Sequence, residues 1–289
     1  MSRWIPAVCL AACLLLCAGA SGAAPAGGLE YRLVADELDA FAFELRQAVT
    51  SEGHSSALIP EFTTRLSGEL QRYVARIFRD GSLGVVARVI SVEATGSRGD
   101  QSSSVDVTDL DGRSVSLRLT GRGELLDSVG WQELRRAGGQ ELLDDVFLRS
   151  VARLPARLPA PGRRETMSWR VAVTVQEGLS CAQTWLLAFS RSAAPQPEAC
   201  RGSCALLDYE GTVSETCVDE GGGMVRSGEG EVSGQIALAG AGKRRALRSH
   251  LWRAVWQRRV ESVAGADPAE ALLQRTTTEG RLTSMEPSR

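Results

Sequence analysis

The sequence predicts a mainly β (α+β) protein, with antiparallel curved sheets or half-barrels in two strand-rich halves and one amphipathic helix between them. Three observations lead there. Alternating and β-branched runs recur along most of the chain, which is the pattern of half-buried strands. Asp80-Gly81 and Asp111-Gly112 are short hairpin signals between such runs. Only one stretch, near residues 138–155, carries a clear helical stripe.

The chain opens with Arg3, an apolar run from Trp4 to Leu16, and the small residues Ala18-Gly19-Ala20. That order of charge, apolar core and cleavable small residues is an export signal over residues 1–20, and the apolar run is too short to span a bilayer. Leu10-Ala11-Ala12-Cys13 also resembles a lipobox, so Cys13 is the candidate lipidation site, with simple cleavage favoured because apolar sequence continues beyond it. Residues 24–28 form a small-residue leader.

Residues 29–154 form the expected N-terminal half. Its first strand, 38–49, sets Leu38, Ala40 and Ala42 against Asp39, Phe41, Phe43 and Leu45, and 84–94 is β-branched. The stretch 66–78 fits strand or helix, and the tight Asp80-Gly81 turn after it favours strand. The half ends in the helix opened by Gly138-Gly139, with Leu142, Leu143, Val146, Phe147 and Val151 on one face, stopped by Pro155. A stripe of that kind must lie on something, and the strands are its only large partner.

The prolines of 155–162 can neither continue a helix nor pair within a sheet, so this segment is read as a hinge. Residues 163–263 form the second half, with strands expected at 167–176, 181–190, 204–217, 230–239 and 244–260. Residues 264–289 read as a polar, frayed tail.

Four of the seven cysteines lie beyond the export segment, all in the second half: Cys181, Cys200, Cys204 and Cys217. In an exported chain these are disulfide candidates. A hairpin of 181–190 with 204–217, in a register placing Cys181 opposite Cys217, also pairs Trp185 with Val213, Leu187 with Gly211 and Phe189 with Tyr209. Cys200 and Cys204 would then close a small ring near its tip. Four cysteines allow three pairings, and spacing alone does not decide among them. A four-cysteine zinc site needs two short spacings, and only 200–204 is short, so no metal is expected.

A net charge of −2 gives nothing that would draw the chain to nucleic acid. The only histidines are His54, in a polar loop sequence, and His250. There is no nucleophile elbow, His-Glu-x-x-His or phosphate loop, and no cofactor is expected. The segment around Asp106–Asp111 fails as an EF-hand, because that reading puts Val107 at the first ligand position and Arg118 where a bidentate glutamate is required. One stretch does concentrate chemistry. As a strand, 244–260 puts Arg248, His250, Trp252, Trp256 and Arg258 on one face, a candidate surface for an anionic lipid or glycan; the simpler reading packs the tryptophans under the helix or in the sheet's second face, with the arginines keeping it soluble. Leu247, Leu251 and Val255 would face the core, meeting 230–239 across Gly240-Ala241-Gly242 with Leu247 opposite Ile236 and Leu251 opposite Val232.

Leu154-Pro155, Leu158-Pro159, Gly162 and Trp169, set between strand-rich halves, resemble the arrangement of uncharacterised exported β-rich bacterial envelope proteins. An acidic residue often follows the glycine in those proteins, whereas Arg163 and Arg164 stand here. More distantly, a curved sheet covered by a helix resembles the half-barrels of LolA/LolB-like periplasmic lipoprotein carriers, which implies an apolar groove. The expectation is a periplasmic or extracellular, non-catalytic protein binding an envelope component or a protein partner. Two alternatives stand beside it: a carrier that shelters an acyl chain between sheet and helix, and a secreted hydrolase using acids brought together by the fold.

Overall fold

The computed structural model describes residues 38–52, 61–120, 125–130, 146, 150, 159–176, 179–192, 204–219, 224–239, 246–260 and 272–285. Its strands are β1 (Leu38–Glu52), β2 (Phe62–Ile77), β3 (Leu83–Arg98), β4 (Gln101–Val105), β5 (Ser114–Leu119), β6 (Leu125–Val129), β7 (Arg164–Gln176), β8 (Leu179–Arg191), β9 (Cys204–Asp219), β10 (Met224–Ala239), β11 (Ala246–Val260) and β12 (Leu272–Met285). All belong to one antiparallel sheet in the order β6-β5-β3-β2-β1-β12-β11-β10-β9-β8-β7, with β4 pairing the end of β3. The export segment, the leader 24–28, Cys13, His54 and Cys200 lie outside the described residues.

The two expected halves are thus one open curved sheet. They are joined by β1 and β12, which pair from Ala40–Met285 to Glu52–Leu273. This corrects the reading of 264–289 as a frayed tail, because residues 272–285 form an interior strand between β1 and β11. Asp111-Gly112 is not a hairpin turn either. β4 and β5 both pair β3, and the segment between them, with a 3₁₀ turn at Thr108–Leu110, interrupts what would be one continuous neighbour. Asp80-Gly81 does join paired strands, with Gly81 in the left-handed region at φ 80°.

Strand pleat gives the sheet one apolar face and one polar face, since successive side chains point to opposite sides. A single row crosses eight strands on the inner, apolar face: Phe189, Tyr209, Gly234, Trp252, Gly280, Leu45, Leu66 and Ala94. Large side chains alternate in it with glycines. A Cβ at Gly280 would lie 2.1 Å from Trp252 Cζ2, and one at Gly234 would lie 2.5 Å from the Tyr209 ring, so each ring lies over the neighbouring strand's backbone. Phe41, Leu70, Val89, Leu119, Leu207, Ile236 and Leu282 are fully buried on the same face. A strongly twisted sheet of this width curls rather than staying flat.

β6 and β7 are the two edge strands of the sheet. These strands lie at opposite ends of the sheet, about 50 Å apart along its arc at the usual strand spacing. Of the helix expected at 138–155 only Val146 and Ser150 are described residues, and both have helical backbone. Val146 is buried within the apolar core and Ser150 is buried too. The guanidinium of Arg72, on the inner face of β2, donates through Nη1 to the Ser150 carbonyl. No helix among the described residues is long and apolar enough to cross a membrane.

Candidate functional site

The hairpin of β8 and β9 has the register expected from the sequence: Cys181 opposite Cys217, Trp185 opposite Val213, Leu187 opposite Gly211 and Phe189 opposite Tyr209. Cys181 and Cys217 are disulfide-bonded. Cys204 is disulfide-bonded as well, while Cys200, the partner expected for it, is not among the described residues. The hinge enters β7 through a turn at 161–162, with Gly162 at φ 73°. The Pro159 carbonyl accepts a hydrogen bond from Arg191 Nε at 2.8 Å.

The Arg/His/Trp stripe of β11 faces inward rather than outward. His250 is 0% exposed, Trp252 3%, Trp256 6% and Arg258 8%, whereas Leu251 is 38% exposed. The cause is register. Ile236 pairs His250 and Val232 pairs Ala254, three positions from the expected pairing, and an odd shift turns every side chain to the other face. Leu247 is nonetheless buried, because an irregularity at Ala237/Leu238 changes the phase before it. Arg248 is half-buried, with its Nη1 3.4 Å from Ser284 Oγ.

Inside, the stripe joins an aromatic cluster. Trp185 meets Trp256 edge-on at 6.0 Å between centroids, and Tyr209 packs on Phe189 and His250. Tyr209 Oη and His250 Nε2 lie 2.8 Å apart. Toward the Cys181–Cys217 end the face becomes charged. Glu215 Oε1 lies 2.9 Å from Arg226 Nε and 3.2 Å from Arg258 Nε, and Gln183 Nε2 donates to Glu215 Oε2 at 2.8 Å. Trp185 Nε1 donates in turn to Gln183 Oε1 at 3.2 Å, and the Arg258 guanidinium lies over Trp256. Near Ser150, Arg72 Nε donates to Asp39 Oδ2 at 2.9 Å and its guanidinium lies over the Phe41 ring.

Sequence reasoning passed over Glu215, Arg226, Asp39 and Arg72. A signal existed for three of them. Glu215 has the parity of Cys217 and Val213, Asp39 that of Phe41 and Phe43, and Arg72 that of Leu70 and Val74, so each charge interrupts an otherwise apolar face.

Elsewhere Asp80 and Asp106 shape turns. The Ser82 hydroxyl and amide, aided by Arg118, hold the Asp80 carboxyl below its ordinary range. The Thr108 hydroxyl and amide do the same for Asp106. Asp111 Oδ1 accepts from the Val92 amide at 3.0 Å. Among the described residues no group of three or more His, Cys, Asp or Glu is arranged to hold a metal.

The outer face is polar, and among the described residues it includes the following concavities. One, of about 780 Å³, crosses β2, β1, β12, β11 and β10, between outward residues such as Arg46, Arg65, Arg253 and Arg281. Another, of about 590 Å³, crosses β8 to β12 beside Glu229, Glu231 and Arg275.

No protein-family model and no curated protein matches the chain. Among solved structures it is similar to lipovitellin, studied for lipid–protein interactions, at 10% identity and a TM-score of 0.43 over 89% of this chain and 26% of that one. The chain therefore spans about a quarter of the lipovitellin chain it matches. It is also similar to DynF of the dynemicin biosynthesis pathway of Micromonospora chersina, at 8% identity and a TM-score of 0.24 over 91% of this chain and 88% of that one. A further likeness is to OmpF of Salmonella typhi in complex with daunomycin, at 9% identity and a TM-score of 0.19 over 86% and 97%.

Proposed function

We propose that the protein is an exported, non-catalytic carrier that shelters an acyl chain between the inner face of its sheet and the helical residues around Val146 and Ser150. The observation that supports this reading is the continuity of one apolar face across the sheet, with edges β6 and β7 left unjoined among the described residues. Closed barrels remove their edges, whereas an open curled sheet leaves a way in between them. Polar groups lie toward the margins of that face, at Arg72–Asp39 and at Glu215 with its two arginines, which leaves an aromatic middle suited to a hydrocarbon chain. The Cys181–Cys217 bond favours an oxidising compartment, in keeping with the export segment. The hydrolase reading gains little, because the inner-face acids Asp39 and Glu215 sit on distant strands and are each engaged by arginine.

Protein secreted with its disulfides intact should retain a lipid in native mass spectrometry. After delipidation it should bind brominated fatty acid or phospholipid with quenching of inner-face tryptophan fluorescence. A chain that leaves the cell without lipid, and whose tryptophans are not quenched by a brominated acyl chain, would refute the carrier reading.

A further inference from the structure

We propose that the outer face carries a separate binding site for an acidic polysaccharide, in the trough crossing β2, β1, β12, β11 and β10. Its position is set by pleat. The trough is bounded on each strand by two outward residues, and the peptide between them, at Leu45, Leu66, Gly234, Trp252 and Gly280, makes the floor. The side chains of those floor residues serve the opposite, apolar face, so this cavity is distinct from the proposed acyl-chain site.

The charges of the trough are not balanced. One row across the strands reads Arg65, Arg46, Glu279, Arg253, Ser233, and the next reads Ser67, Glu44, Arg281, Leu251, Gln235. Sheets gain from opposite charges placed directly across a strand pair, and lose from like charges there. Glu44 opposite Arg281 follows that rule, but Arg46 faces Arg65 directly. Glu279 lies between Arg46 and Arg253 as one carboxylate for two guanidiniums, and the contact it makes with Arg253 is a 3.4 Å pair with both side chains more than half exposed. Four arginines stand against two glutamates in the trough. The excess is spread across adjacent strands about 5 Å apart, which suits an extended chain carrying repeated negative charges.

The remaining lining separates a glycan from other anions. Ser67, Ser233 and Gln235 supply hydroxyl and amide groups, as a sugar's hydroxyls require. Leu251 is the one exposed apolar side chain, a platform for the apolar face of a sugar ring. A membrane surface would need a wider apolar anchor beside the basic residues, and a flat acidic protein would not fill a concavity of about 780 Å³. Guanidinium forks match carboxylate and sulfate bidentately, so either acid on the glycan would serve.

The test uses the full mature chain with disulfides intact and calorimetry at two salt concentrations. Heparin and polygalacturonate should bind, dextran should not, and R46S/R65S should weaken binding at least tenfold while R79S/R98S, a charge-matched pair of exposed changes outside the trough, leaves it unaltered. Affinity should fall with added salt, as exposed charges are screened. R46S/R65S should keep the wild-type circular dichroism and acyl-chain quenching, so failure here and failure of the carrier reading are separately visible. The proposal is overturned if neither polyanion binds, if R46S/R65S binds them like wild type, or if phosphatidylglycerol vesicles or polyglutamate bind the trough more tightly than the glycans do.

Discussion

Replacing both Cys181 and Cys217 by alanine should cost about 4 kcal/mol of unfolding free energy, from the loop-closure entropy of a bond between cysteines 36 residues apart. The reasoning runs through the unfolded chain. In the folded protein β8 and β9 already hold the two residues opposite each other through thirteen residues of ladder, so the bond adds little to native contacts and mainly restricts the denatured ensemble. Alanine is the right replacement because both cysteines are buried, and serine would add an unpaired hydroxyl to the penalty. For a chain of this size the loss corresponds to a fall of about 8–16 °C in Tm. Urea titration followed by tryptophan fluorescence and far-ultraviolet dichroism measures it. Treating the wild type with a reductant is a poorer experiment, because Cys204 is also disulfide-bonded and both bonds would be lost together. A loss below about 1 kcal/mol, or peptide mapping that joins Cys181 to any cysteine but Cys217, would refute the argument.

Three further perturbations probe the inner face and the turns. R72A leaves the Asp39 carboxylate and the Ser150 carbonyl without the guanidinium they share, and a loss of about 3–5 kcal/mol is expected in urea titrations; a loss within experimental scatter would mean that these two contacts do not hold the fold. G280V places side-chain carbons where the Trp252 ring lies and should cost about 1–3 kcal/mol, with W252L in the same chain recovering part of it; equal losses with and without W252L would refute the proposed packing. Asp80 has a depressed folded pKa, so its stabilising contribution is complete above the unfolded value of about 3.9 and is lost as pH falls through the folded one. D80N should therefore flatten the dependence of Tm on pH below about 4, and an unchanged slope would count against the Ser82 and Arg118 contacts.

The strands of this sheet were legible wherever the signal lay within the strand itself. Phe41, Phe43 and Leu45 in β1 and the β8–β9 pairs from Cys181 to Phe189 carry their own alternation, and the structure places them accordingly. β12 was illegible for a physical reason. Its inward positions include Thr276, Thr278 and Gly280, small or polar residues that read as tail. They are small because the bulk lies across the strand pair, in Trp256 opposite Thr276 and Trp252 opposite Gly280. The stripe of β11 is legible but its side is not, because nothing local sets the register across the connection from Ala239 to Ala246, and three residues of register decide which face receives it. The joining of the two halves was equally out of reach, since it depends on pairs such as Ala40 with Met285, almost the whole described chain apart.

That parity rule would also let one sheet hold the two proposed binding surfaces without either compromising the other. Trp252 and Arg253 are neighbours in sequence, yet one is 3% exposed among aromatic rings and the other pairs loosely with Glu279 in the polar trough. Gly280 and Glu279 divide in the same way across β12, as do Leu45 and Arg46 across β1. A ligand on one face therefore meets every second residue and its neighbour on the other face meets the rest, while only the shared backbone connects them. Substitutions such as R46S/R65S should alter affinity on the outer face alone, because neither side chain reaches the apolar core. Changes at Gly280 should disturb both faces, since that residue is at once the seat of the Trp252 ring and part of the trough floor. Coupling between the two surfaces, where it occurs, must then pass through the curvature of the strands at such glycines.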